Sequence, residues 1–245
     1  MDELERQKLD ALAEFAAGAG HEINNPLAII GGRAQLLLRE IEHPEHRRQL
    51  GIIVAQVKRA HEMIADIRFF ARPPQPELQW FNLLAELQTL INEQMPLMEE
   101  AGVAFLAEID PVIYPMIESD SVLLHIAMSA LCKNAREAVQ CIGGTVQLYL
   151  RRVGYVWEII VKDDGPGVAE EVQSLIFDPY YSGREAGRGL GFGLPKAWRI
   201  MQLLGGSIRH EQPARQRGTS FILTLPGCFP PSCTLRRTGY NASSS

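Results

Sequence analysis

His21 and Glu22 stand side by side near the start of this 245-residue chain, in the run HEINNP. An imidazole beside a carboxylate is a usable nucleophile. Glu22 can accept a hydrogen bond from one ring nitrogen and leave the other free to attack phosphorus. Asn25 falls one helical turn beyond His21, on the same face of a helix. Pro26 has no N–H, so the carbonyl of Glu22 loses its helical partner and a bend is expected beside the histidine. Three further groups lie far downstream: Asn134 in KNAREA, Asp163 to Gly167 as DDGPG, and the run Gly187, Gly189, Gly191 and Gly193. The amide oxygen of Asn134 is a hard neutral ligand of the kind Mg²⁺ accepts beside phosphate oxygens. The glycines permit close backbone approach, and a helix opening at Leu194-Pro195 would offer free N–H groups to phosphate. No Lys-Ser/Thr pair follows them, so this is not a Walker loop, and a polar loop rather than a strand precedes them, unlike a dinucleotide fingerprint. Taken singly, each group has a bland reading as solvated surface or turn. Their order and separations carry the argument.

These groups need elements to hold them. Apolar residues from Leu12 alternate at three and four, through Ala16, Ala19, Ile23, Leu27, Ile30, Ala34, Leu37 and Ile41. After His43-Pro44 the rhythm resumes at Leu50, Ile53, Val57, Ala60, Ile64, Ile67 and Ala71. Such heptads mark helices wound on one another, and Pro73, Pro74 and Pro76 end the second. One hairpin leaves its seam open, so two copies are expected to pair by two-fold symmetry, although a purely structural coiled coil has the same spacing. On this register His21 lies off the seam, its ring toward solvent.

Beyond the linker the pattern is mixed. Trp80 to Glu100 reads as a helix and Val103 to Ile109 as a strand, and Ser119-Asp120 can cap a helix reaching Ala138. Thr145 to Arg151 and Val156 to Val161 read as a hairpin turning at Gly154-Tyr155. Lys196 to Leu204 reads as a helix ending at Gly205-Gly206, with strands over 207–210 and 219–225. The predicted fold is an all-α antiparallel helical hairpin forming a dimeric four-helix bundle, followed by an α+β sandwich. Residues 1–75 would be the bundle, 76–226 the nucleotide domain, and 227–245 a loose tail.

A net charge of −5 gives no basic footprint for nucleic acid. The longest apolar runs fall short of the roughly twenty residues that span a bilayer. The acidic N-terminus is unlike a signal peptide, and Cys132, Cys141, Cys228 and Cys233 show no CxxC spacing and no zinc pattern, which reads as reduced thiols. These features point to a cytoplasmic protein with no membrane segment.

From about Leu9 to Leu225 the order of motifs resembles the sensor histidine kinases of two-component signalling. The resemblance implies that His21 is the phosphoacceptor, Glu22 its acidic partner, and Asn25 the group that orients water for dephosphorylating a regulator. It implies that Asp163 accepts from the adenine amine, with Gly165 and Gly167 letting the backbone approach the base. Phe177 to Arg184 resembles the family's aromatic box and ATP lid, with Arg184 as a phosphate-neutralising cation. Asn134 would hold Mg²⁺ beside ATP. The related hydrolases of this ATP fold place a glutamate one turn before the magnesium asparagine, where this chain has Ala130. Alanine cannot act as a base, which favours kinase over hydrolase, although many kinases carry a second asparagine there. A catalytically silent nucleotide-binding scaffold is the remaining alternative. No receiver segment is apparent, so the implied partners are a second copy of the chain and a separate response regulator.

Overall fold

The computed structural model describes residues 3–109, 115–178, 191–212 and 217–227, with the side chains of 3–17, 19 and 21 outside that description. Helix α1 (Glu3–Glu40) and helix α2 (Pro44–Ala71) form an antiparallel hairpin. Pro26 lies inside α1, and the helix continues through it as one element. At the turn, the Arg47 guanidinium donates to the carbonyls of Leu38 (2.6 Å) and Ile41 (3.0 Å), closing the end of α1. Helix α1 begins at Glu3, ahead of the first heptad position at Leu12.

The apolar stripe of α1 divides between two faces. Gly20, Gly31 and Ala34 are buried and Asn24, Leu27, Leu38 and Ile41 half-buried, forming the side against α2. Ile23, Ile30 and Leu37 remain 44–48% exposed, as does Ile53 of α2 at 42%. The single seam expected from the heptads is therefore corrected: a 3.6-residue helix carrying a broad stripe presents one edge to its own hairpin partner and leaves the other uncovered. Val57 and Ile64 belong to the inner edge, because ideal Cβ atoms on Gly31 and Gly20 would lie 3.0 Å and 3.1 Å from them.

The second domain begins with strand β1 (Gln79–Asn82), followed by α3 (Leu83–Glu100), β2 (Ala104–Ile109), β3 (Met116–Ser119), α4 (Ser121–Val139), β4 (Thr145–Val153), β5 (Val156–Asp163), a 3₁₀ turn (Glu170–Val172), α5 (Gly193–Leu203), β6 (Ser207–Glu211) and β7 (Thr219–Pro226). Trp80 is thus in a strand, not in the helix expected to begin there. Asn82 caps α3 by accepting from the Leu84 N–H at 2.9 Å, and the residues before it pair with β3, which the sequence reading missed. Asp120 caps α4 as expected, accepting from the Leu123 N–H at 2.9 Å. Helix α5 starts at Gly193 rather than Lys196, with Pro195 in its first turn, where a missing N–H is tolerated.

The main sheet has the order β2-β4-β5-β7-β6, with β2 parallel to β4 and the other pairs antiparallel. Val146, Leu148 and Leu150 of β4, Ile159 and Val161 of β5, and Phe221 and Leu223 of β7 face one way and pack with Leu87, Leu124, Leu131 and Ile200 of the helices. Along β4 to Leu150, β5 and β7 the period-two alternation turns these alternate residues into one core. The architecture is a helical hairpin followed by an α+β sandwich, as predicted. It sets the loop after β5 against α4, and α4 against α5.

Candidate nucleotide and phosphoacceptor sites

His21 lies in α1, and its side chain is outside the described residues. The expected hydrogen bond to Glu22 and the solvent-facing ring are therefore outside them too. Glu22, Asn25 and Pro26 are exposed. The helix turn carrying His21 is bounded by two contacts to α2. Gly20 faces Ile64, and Asn24 Oδ1 lies 2.7 Å from His61 Nδ1. A carboxamide oxygen only accepts, so the Nδ1 of His61 carries the proton. The sequence reading passed over both residues. The available signal was their place on the inner heptad edge, where a polar pair must find its partner across the interface.

The second site gathers at the end of β5. Asp163 is its last residue and is 2% exposed. Its Oδ1 accepts the Gly165 N–H at 2.9 Å, and the Thr219 backbone also bonds to the carboxyl. Burial pushes its pKa up to about 6, which those two hydrogen bonds only partly offset. An ideal Cβ on Gly165 would sit 2.8 Å from Asp163 Oδ1 and 3.2 Å from the Ala138 Cβ, so a side chain there would collide with both the carboxyl and α4. Gly167 has φ +82° and would meet the Gln212 amide at 2.6 Å. Asp164 turns the other way, its Oδ1 accepting from the Thr145 N–H at 2.7 Å and anchoring the loop to β4.

Asn134 is half-buried on α4, one turn before Ala138. The buried face of that helix is Leu124, Ala127, Leu131 and Ala135, as predicted. The fold therefore brings the Asn134 helix and the Asp163 loop together through the Ala138–Gly165 approach. Ala130 is partly buried against the core and presents only a methyl group. Gly191, with φ +70°, leads into α5, whose first residue is Gly193. Gly187, Gly189 and Arg184 lie outside the described residues.

The two domains are in contact. Lys196 of α5 forms an ion pair with Asp66 of α2, and the Phe192 and Phe70 rings meet edge-on at 6.0 Å between centroids. Phe69 packs against the core of the second domain.

Comparison with known proteins agrees with this geometry. Residues 11–76 match the family described as His Kinase A (phospho-acceptor) domain, and residues 119–227 match the Histidine kinase-, DNA gyrase B-, and HSP90-like ATPase family. The chain belongs to the histidine kinases. This kinase core is 31% identical over 233 residues to sporulation kinase D of Bacillus subtilis (strain 168), covering 91% of this chain and 44% of that protein. It is 29% identical over 225 residues to the signal transduction histidine-protein kinase AtoS of Escherichia coli (strain K12), covering 90% and 36%. The chain spans less than half the length of these two relatives. Among solved structures, full-length ShkA in complex with AMPPNP shares the fold with a TM-score of 0.73 at 22% identity, over 89% of this chain and 46% of that one. Histidine kinase ThkA in complex with response regulator TrrA shares it with a TM-score of 0.68 at 24% identity, over 91% and 64%. Among the described residues no helix of the kinase core is long and apolar enough to cross a membrane.

Proposed function

We propose that this chain is an ATP-dependent autokinase that phosphorylates His21 and passes the phosphoryl group to an aspartate of a separate response regulator. The observation that carries the reading is the Asp163 carboxyl, buried at the end of β5 and fixed by the Gly165 N–H at 2.9 Å, beside the helix that bears Asn134. A fixed acceptor in a buried loop suits the exocyclic amine of adenine, and Gly165 and Gly167 keep the space beside it clear. The amides leading into α5, with Gly187, Gly189, Gly191 and Gly193, would bind phosphate, and Arg184 would neutralise its charge. Mg²⁺ would suit the amide oxygen of Asn134, a half-buried residue on the helix beside the loop, with phosphate oxygens and water as its other ligands. Bound there it would neutralise phosphate charge.

In the reaction an imidazole nitrogen of His21 attacks the γ-phosphorus. The bond from phosphorus to the bridging oxygen breaks, ADP leaves, and Glu22 holds the ring proton. Asn25, exposed on the same helix, would orient water when the regulator is dephosphorylated. The working unit is a homodimer through residues 1–75, with 76–226 as the ATP-binding domain and 227–245 as a tail. We assign this chemistry to the cytoplasm, where ATP is available. Two alternatives stand against it: a hydrolase, which Ala130 disfavours, and a silent scaffold. The fate of labelled γ-phosphate separates the three. Acid-labile, base-stable label on the protein, lost in His21→Ala while ATP binding persists, is the expected result. Label released as free phosphate, or not moved at all, would overturn it.

A further inference from the structure

The contact between α1 and α2 around His21 has an unusual composition. At Gly20 and Gly31 the helices approach so closely that added Cβ atoms would sit 3.1 Å from Ile64 Cγ2 and 3.0 Å from Val57 Cγ1. Between these two apolar points lies the polar pair Asn24 and His61, half-buried, with Oδ1 and Nδ1 at 2.7 Å. Elsewhere among the described residues, the side-chain hydrogen bonds between the two helices are those of Arg47 at the turn.

Small and apolar contacts tolerate sliding and rotation, because dispersion has little directional preference. A hydrogen bond does not, since it weakens steeply away from a linear geometry. One residue of helical rotation turns a side chain by about 100°. The Asn24–His61 bond therefore holds α1 at one rotational setting, and His21 rides on the turn between Gly20 and Asn24. A single polar residue inside a helical interface is a known way to fix register at some cost in stability.

We infer that Asn24 and His61 are positioning residues for phosphorylation of His21, setting the rotation of α1 at the phosphoacceptor. This rests on the proposed autokinase reading. Neither side chain is assigned contact with ATP, and each acts through the backbone turn that carries His21.

The test compares the full chain with Asn24→Leu/His61→Leu, with His61→Ala, and with His61→Gln, which retains an N–H donor. Labelling of His21 from γ-labelled ATP is followed over a range of ATP concentrations, alongside urea unfolding and oligomeric state. The double leucine variant should be at least as stable as wild type, because the polar pair is replaced by apolar groups of adequate size. It should nevertheless label His21 about tenfold more slowly with the KM for ATP unchanged, since misplacement of a reacting group alone costs on this order or more. His61→Gln should recover much of the rate lost in His61→Ala. A stable double variant that labels at the wild-type rate would overturn the inference. A loss that follows unfolding, or a raised KM, would do the same. If wild type itself takes no label on His21, the autokinase reading fails first, and that outcome is distinguishable because it does not depend on the variants.

Discussion

Lys196, in the first turn of α5, is ion-paired with Asp66, four residues before Phe70 on α2. Phe192 stands four residues before Lys196, and the pairs cross over, Asp66 with Lys196 and Phe70 with Phe192. The start of α5 therefore runs antiparallel to the end of α2. Because Ile64 stands opposite Gly20, Phe70 lies about 10 Å down the hairpin from His21 at 1.5 Å per residue. The end of α5 that should bind phosphate is docked near Phe70, below His21. On the proposed autokinase reading, transfer to His21 calls for the second domain to shift from this position.

Weakening the docking should speed His21 labelling. A partly buried ion pair of this kind is worth up to about 1 kcal/mol. Asp66→Lys and Lys196→Asp should each raise the rate a few-fold, and the two together should return it toward wild type. The measurement is the initial rate of label incorporation at saturating ATP. A lower rate in both single variants would show that the docked arrangement is itself the productive one.

Adenine binding should weaken in acid. The Asp163 carboxyl, its pKa pushed up to about 6 by burial, is the stronger acceptor for adenine when ionised, because protonation turns one of its oxygens into a donor. As pH falls through 6 the group takes up a proton, and affinity for adenosine, which has no phosphate to titrate, should drop several-fold. Asp163→Asn should bind adenosine weakly and with little pH dependence. The raised pKa also means that the folded state is disfavoured by this group as pH rises from 3.8 toward 6, a penalty that bound adenine should reduce. Calorimetric titration between pH 5 and 8 checks both, and a pH-independent wild type would rule out the adenine contact.

Dimerisation should depend on the outer edge of the hairpin. Ile30 and Ile53 are 48% and 42% exposed, and covering a large aliphatic side chain is worth roughly 1.5–3 kcal/mol. Ile30→Asp with Ile53→Asp should give a folded monomer, because neither residue faces the inner contact. Ile64→Asp should instead damage the hairpin, since Ile64 packs on Gly20. Light scattering and helicity of a fragment ending near Arg72 separate the two effects. A monomeric, folded wild-type fragment would refute the four-helix bundle.

Stability should fall as His125 loses its proton. Its Nδ1 lies 2.6 Å from Glu86 and its Nε2 2.8 Å from Glu93, joining α4 to α3. Burial disfavours the charged ring, yet the two carboxylates outweigh it and the pKa is raised above 6.5. A raised histidine pKa contributes stability that is fully present below the unfolded value and disappears as pH rises through the folded one. His125→Leu should cost about 1 kcal/mol at pH 6 and distinctly less at pH 9, read by urea unfolding. An equal loss at both pH values would show that the imidazolium contributes nothing.

The sequence alone determined the kinds of element and the inventory of chemistry. Heptads from Leu12 to Ala71 marked two helices because a buried stripe must repeat at the helical period. Asp120 marked the start of α4 through its capping chemistry, and the alternation from Val146 to Leu150 marked a one-sided strand. His21, Asn134, Asp163 and the glycines stood out as candidates because an imidazole, an amide oxygen, a carboxylate and backbone free of side chains suit phosphoryl and adenine chemistry, in an order that resembles the histidine kinases. Trp80 was misread because a four-residue strand is held by a partner, Met116 to Ser119, that lies 34 or more residues away. Only the tertiary structure decided which edge of α1 faces α2, that Gly165 meets Ala138, that His61 meets Asn24, and that Lys196 meets Asp66. Each of these is a meeting of residues far apart in sequence. Local propensity carries no information about such meetings, and close packing admits few solutions once the layers form.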